Sequence, residues 1–205
     1  MPILRRRAAA AKPKAAARKV SKRTYEIDGK TYSSKALKDY HAELSKYVKS
    51  GLIKSFGLPE GALAKSKFHS IKATIDGIEF DSLNESRYYI HVLEEVKAGN
   101  IKSFELQKAY EIVPSHIRRG KKIRKMEYLA DFVCQMSDGT ERVIDVKGVE
   151  TDVFKMKKKM VEYLYPNVEV QCVRYVVKEK AWLTTKECKA RSKAQKASKG
   201  KKLAG

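Results

Sequence analysis

The chain is poor in the residues that would place it in a specialised class. Its three cysteines, Cys134, Cys172 and Cys188, are far apart and odd in number. They form no CxxC pair, which argues against a disulfide framework or a thiolate zinc motif and points to a reducing compartment. The four histidines, His41, His69, His91 and His116, show no metal-ligand spacing and read as core or surface residues. No run approaches the ~18 apolar residues of a membrane span, and the basic N-terminus lacks the apolar segment of a secretory signal.

Acid is missing too, but only locally. Residues 1–23 hold nine Lys/Arg and no Asp or Glu, and residues 178–205 hold ten Lys/Arg against two Glu. These arms carry seventeen of the 21 net positive charges, so the middle of the chain is nearly neutral. Both arms are rich in Ala, Lys and Ser and poor in large apolar side chains, which predicts disorder in the free protein. Their charge suits sequence-blind neutralisation of nucleic-acid phosphates. The expected organisation is a basic tail over 1–24, a small module over 25–64, a main domain over 65–177 and a second basic tail over 178–205.

What is present begins with a repeat at an offset of 48. Residues 27–58 read IDGKTYSSKALKDYHAELSKYVKSGLIKSFGL, and residues 75–106 read IDGIEFDSLNESRYYIHVLEEVKAGNIKSFEL. Each copy opens with Asp-Gly between short β-prone runs, a hairpin signal. A Ser N-cap follows (Ser34, Ser82), then a helix stopping near Gly51 or Gly99, then a strand. The second copy runs on into a strand at 109–114, a basic loop or hairpin tip at 117–125, strands at 126–136 and 140–147, a Lys-rich helix at 152–165 and a last strand at 168–177. The fold class expected is α/β (α+β).

The chemistry lies in the two long strands. On 126–136 and 140–147 the even positions (Met126, Tyr128, Ala130, Phe132, Cys134, Met136, Ile144, Val146) form a core face. The odd face carries Asp131, Asp145 and Lys147. A two-residue Asp-Gly turn would pair Asp131 with Val146 and part the aspartates, whereas a three-residue loop Ser137-Asp138-Gly139, with Gly139 in the left-handed conformation, sets Asp131 opposite Asp145, and the sequence suits this second loop. Two carboxylates so placed repel unless a cation lies between them, and oxygen ligands suit Mg²⁺ or Mn²⁺. Glu85, in Ser82-Leu83-Asn84-Glu85, is the third candidate acid, although a capping box accounts for the same residue. Lys155, Lys157, Lys158 and Lys159 follow on the next helix, as its solvated face or as phosphate contacts.

Together these residues resemble the PD-(D/E)XK nuclease superfamily. More closely, residues 67–173 are similar to small phage-encoded endonucleases related to phage endonuclease I and Holliday-junction resolvases. The matching words are DGIEFDSLNESRYY, IKSFELQ, YLADF, VIDVKG and TDVFKMKKKMVEYLYP. The resemblance implies an αβββαβ core with a mixed central sheet. It implies Glu85, Asp131 and Asp145 as Mg²⁺ ligands, Lys147 as catalytic lysine and Gln107 lining the site. It implies DNA as substrate, leaves a homodimer open, and puts the protein in the cytoplasm of a bacterial host if phage-encoded. Ala130 stands where the motif's Pro would be. The first repeat has Leu37 where the second has Glu85, so one site per chain is expected. The competing reading is a non-catalytic basic nucleic-acid-binding or packaging protein, and a third is a ribosome-associated protein.

Overall fold

The computed structural model describes residues 24–61, 70–147, 150–176 and 179–202. The first arm, residues 1–23, lies outside the described residues, as do His69 and Gly148.

The repeat folds as two copies of one unit. Strands β1 (Tyr25–Ile27) and β2 (Lys30–Tyr32) form a hairpin, and helix α1 (Lys35–Lys49) follows. At the 48-residue offset, β4 (Ala73–Ile75), β5 (Ile78–Phe80) and α2 (Leu83–Lys97) repeat the pattern. Ser34 and Ser82 cap the helices, each accepting a backbone N–H three residues on. Between the units, β3 (Phe56–Gly57) pairs antiparallel with β4, so the first copy supplies an edge to the second copy's hairpin.

The central sheet is mixed. Strand β6 (Ile101–Val113) leads through the small hairpin β7 (His116–Arg118) and β8 (Lys121–Ile123) to β9 (Met126–Met136) and β10 (Glu141–Val146). Helix α3 (Asp152–Leu164) crosses over to β11 (Val170–Val176), which lies parallel to β10 as a βαβ crossover requires. Strand β12 (Ala181–Thr184) closes the sheet in the order β12-β11-β10-β9-β6, and α4 (Thr185–Lys202) follows.

Two expectations need correction. The C-terminal arm was expected to be a disordered tail from 178, with the last strand ending near 177. Instead β12 pairs with β11, and α4 starts with a reciprocal cap: Glu187 N–H donates to Thr184 Oγ1 and Thr184 N–H to Glu187 Oε2. The cause is a short apolar segment, Ala181-Trp182-Leu183, inside a basic arm. Leu183 and Cys188 are buried, and Trp182 packs edge-on against Tyr88.

The second correction concerns the even core face. Phe132 and Cys134 pack in one cluster with α2, whereas Tyr128 and Ala130 pack in the other, with Phe154 and Val161 of α3. Strand β6 changes face in step: Phe104 and Leu106 pack against the first cluster, Tyr110 and Ile112 belong to the second. The pairing stays in register across the change, Leu106 with Phe132 and Lys108 with Ala130. Between them Gln107 has φ +51°, a left-handed conformation that turns a strand about its axis. The twist therefore falls beside Asp131.

Candidate active site

The Ser137-Asp138-Gly139 loop closes as the sequence predicts. Met136 N–H donates to Thr140 O, and Gly139 takes φ +87°. The ladder pairs Val143 with Val133 and ends at Ile144 with Phe132; just past it Asp145 lies close enough to Asp131 for the two charges to act on each other. Asp145 is 1% exposed, among the most buried side chains of the molecule.

Each group is held. Tyr128 Oη donates to Asp145 Oδ2 at 2.8 Å, and Val146 N–H donates to Asp131 Oδ2 at 2.7 Å. The Lys147 ammonium lies against Asp145 Oδ1, yet off the line of a directed hydrogen bond, so that oxygen is charge-compensated without an aligned donor. The same ammonium stands 5.4 Å from the centre of the Phe154 ring, at the start of α3. Tyr128 was missed in the sequence because an even position reads as facing away from Asp145. The change of face at Gln107 brings it round.

The electrostatics follow from this burial. Desolvation, and then the neighbouring Asp145, push Asp131 up to about 7, against the opposing pull of Lys147 and the Val146 N–H. Burial works against the Lys147 ammonium, but Asp145 and Asp131 outweigh it and its pKa stands above the ordinary value. Tyr128 is raised by burial and by Asp145, so it keeps its proton and remains a donor.

Glu85 keeps both oxygens on its own helix cap. Ser82 Oγ donates to Oε1 at 2.7 Å, and Asp81 N–H reaches Oε2 at 3.3 Å. Burial raises its pKa despite these donors. It nevertheless lines one cavity of about 130 Å³ together with Gln107, Asp131, Phe80 and Phe132. Among the described residues no three His, Cys, Asp or Glu side chains gather as a ready metal cage. The capped Glu85 stands beside the aspartate pair and is not turned into it. A larger cleft of about 730 Å³ lies near His91, Arg142 and Trp182 but contains neither aspartate.

The four lysines of α3 divide. Lys157 Nζ donates to Glu127 O at 2.8 Å, and Lys158 holds the Val170 carbonyl and pairs with Glu162. Both are tied down at the sheet, which fits neither the solvated face nor the free phosphate contacts expected. Lys155, paired with Asp152, and Lys159 are exposed.

Residues 65–181, more than half of the chain, match the family described as protein of unknown function, DUF1064, and the chain belongs to that family. No curated protein matches it.

Proposed function

We propose that this member of the family is a metal-dependent DNA endonuclease of the PD-(D/E)XK kind, hydrolysing phosphodiester bonds in branched or phage DNA. The observation that carries the reading is that Asp131 of β9 and Asp145 of β10 lie within reach of each other's charge, with the Lys147 ammonium against Asp145. In support, α2, β6, β9, β10, α3 and β11 run in the αβββαβ order that the sequence resemblance implies. The buried free thiols suit a reducing cytoplasm.

The donor set fits a small oxygen-preferring divalent cation, Mg²⁺ with Mn²⁺ as substitute. Two carboxylates withdrawn from water, one with a buried oxygen lacking an aligned donor, are relieved by a cation. Asp131 and Asp145 would hold it, and Glu85 would join only on giving up its bonds from Ser82 and Asp81. Bound there, such an ion would supply Lewis-acid chemistry, polarising a phosphate oxygen and lowering the pKa of a water.

The chain's own residues supply the rest. The Tyr128 hydroxyl fixes the plane of Asp145, and the Val146 N–H fixes Asp131. Lys147 stays charged near neutrality at the mouth of the site, where its ammonium can meet the negative charge that builds on phosphate in the transition state. Phe80 and Phe132 wall the cavity on which Asp131 and Glu85 open.

The test is cleavage of supercoiled plasmid and of a four-way junction with Mg²⁺ or with EDTA. Asp131→Asn, Asp145→Asn and Lys147→Ala should each abolish cutting while circular dichroism stays native. Cutting undiminished by EDTA would refute the metal. A wild-type chain that binds DNA and never cuts it would favour a non-catalytic basic DNA-binding protein.

A further inference from the structure

The hairpin β7–β8 is used by none of the chemistry above, yet its charge is all of one sign. Residues 115–126 contain Arg118, Arg119, Lys121, Lys122, Arg124 and Lys125 and no acid. Lys125 pairs with Glu127; among the described residues the other five have no carboxylate partner. Every residue from 115 to 125 is exposed.

The hairpin is an extension of the sheet. Val113 pairs with Met126 and His116 with Ile123, three residues further along each strand, so both ladders share one register. The ribbon β6–β9 thus continues into solvent past a break at Pro114-Ser115 and Arg124-Lys125. From Asp131 to Lys121 is ten residues, about 33 Å along the ribbon at ~3.3 Å per residue. That is close to one helical turn of duplex DNA.

Two local features are hard to explain by folding alone. The turn has Arg119 at φ +50° and Gly120 at φ +73°, the geometry of a type I′ turn. Asn or Gly suits the first of these positions, and an Arg there is locally unfavourable. Ile117 and Ile123 are 77% and 41% exposed, and their partners across the hairpin are Lys122 and His116. The register sets the two isoleucines on opposite faces, so neither shields the other. A cationic two-stranded ribbon has the width that the major groove admits. There an apolar side chain can meet a thymine methyl while the flanking cations meet phosphates.

We propose that the hairpin β7–β8 is a DNA-binding arm that enters the major groove of the duplex flanking the cleavage site. This rests on the reading of the site as acting on DNA. Binding measured in EDTA separates the two, because an inert site leaves the arm's affinity unchanged.

The experiment titrates the full chain into a fluorescent 30-base-pair duplex over a salt series. The wild type is compared with a variant carrying Arg118→Gln, Arg119→Asn, Lys121→Gln and Lys122→Gln. Asn favours the turn, so the hairpin should persist. The variant should lose at least tenfold in affinity near 0.15 M salt, with a log–log salt slope shallower by about 2 to 3.6, at ~0.9 for each phosphate left without its cation. A duplex with bulky groups on pyrimidine C5, which fill the major groove, should weaken the wild type severalfold and leave the variant unmoved. An unchanged slope and affinity would overturn the arm, and so would equal sensitivity of both proteins to the C5 groups. So would binding to anionic vesicles with none to duplex. Should the fourfold variant fail to fold, Ile117→Glu serves, its side chain being exposed: the same loss supports the arm and wild-type affinity refutes it.

Discussion

At the scale of single residues, the site is defined by what burial does to Asp131. Its pKa is pushed from 3.8 to about 7 in the folded chain. Below about pH 4 folded and unfolded states both hold the proton. Between about 4 and 7 only the folded state does, so this group's contribution to stability falls as pH rises through that window and is flat above it. Thermal midpoints from pH 4 to 8 should show this decline, and Asp131→Asn should remove it. Mn²⁺ should raise the wild-type midpoint more at pH 8 than at pH 5, because it competes with the proton. A Mn²⁺ effect that grows toward acid pH would contradict ion binding at these carboxylates. Glu85 calls for a different substitution. Glu85→Gln keeps a cap that Ser82 can use, so stability should change by less than about 1 kcal/mol while cleavage drops severalfold or more. An active Glu85→Gln protein would leave this residue as a cap alone. The register was legible in the sequence because Ser137-Asp138-Gly139 suits a three-residue loop better than the two-residue Asp-Gly turn that would pair Asp131 with Val146. Tyr128 was not, because alternation carries no sign of the left-handed Gln107 that turns the ribbon.

At the scale of elements, the clearest difference between sequence and structure is the C-terminal arm. Averaged over 178–205, its composition reads as a charged tail, and three apolar residues are lost in the average. In the fold they complete a sheet edge: Trp182 meets Tyr88 and Tyr175, and Leu183 is buried. The Thr184-Thr185-Lys186-Glu187 capping box was the signal available, and it marks the helix start. The repeat was easier to read, because hairpin, cap and helix each have their own local chemistry and recur in phase. Truncation separates tail from edge strand. Stopping after Ala194 should leave the thermal midpoint within a few degrees of the full chain. Stopping after Val177 strips β12 from β11 and exposes Tyr88. It should cost about 3 kcal/mol or more, the scale of losing a large buried aromatic. Equal midpoints for the two truncations would mean that β12 adds nothing to the sheet.

At the scale of the whole molecule, the first repeat belongs to the same core as the site. Tyr32, Leu37, Tyr40, Leu44, Ile53 and Leu58 pack in one cluster with Ile75, Val92, Phe132 and Val146. Tyr40 Oη meets Ser86 Oγ at 3.0 Å, and the Arg87 guanidinium stands 4.4 Å from the Tyr40 ring centre. Leu37, the counterpart of Glu85, is fully buried there, whereas Glu85 lines the cavity beside Asp131. Such a cluster makes the two units unfold together. The chain's single tryptophan allows a direct check, since Trp182 sits in the central sheet and the first module has none. Leu44→Ala removes a fully buried side chain in α1, far from Trp182 in the chain, and should cost about 2–5 kcal/mol. If the units share one core, urea unfolding followed by Trp182 fluorescence should shift to a lower midpoint in this variant, coincident with the far-ultraviolet circular dichroism. If the module were an independent appendage, Trp182 fluorescence would keep its wild-type midpoint while part of the helical signal melted earlier. By the same argument, removing residues 1–64 should leave a destabilised sheet, because Ile75, Tyr89 and Val92 lose their cover.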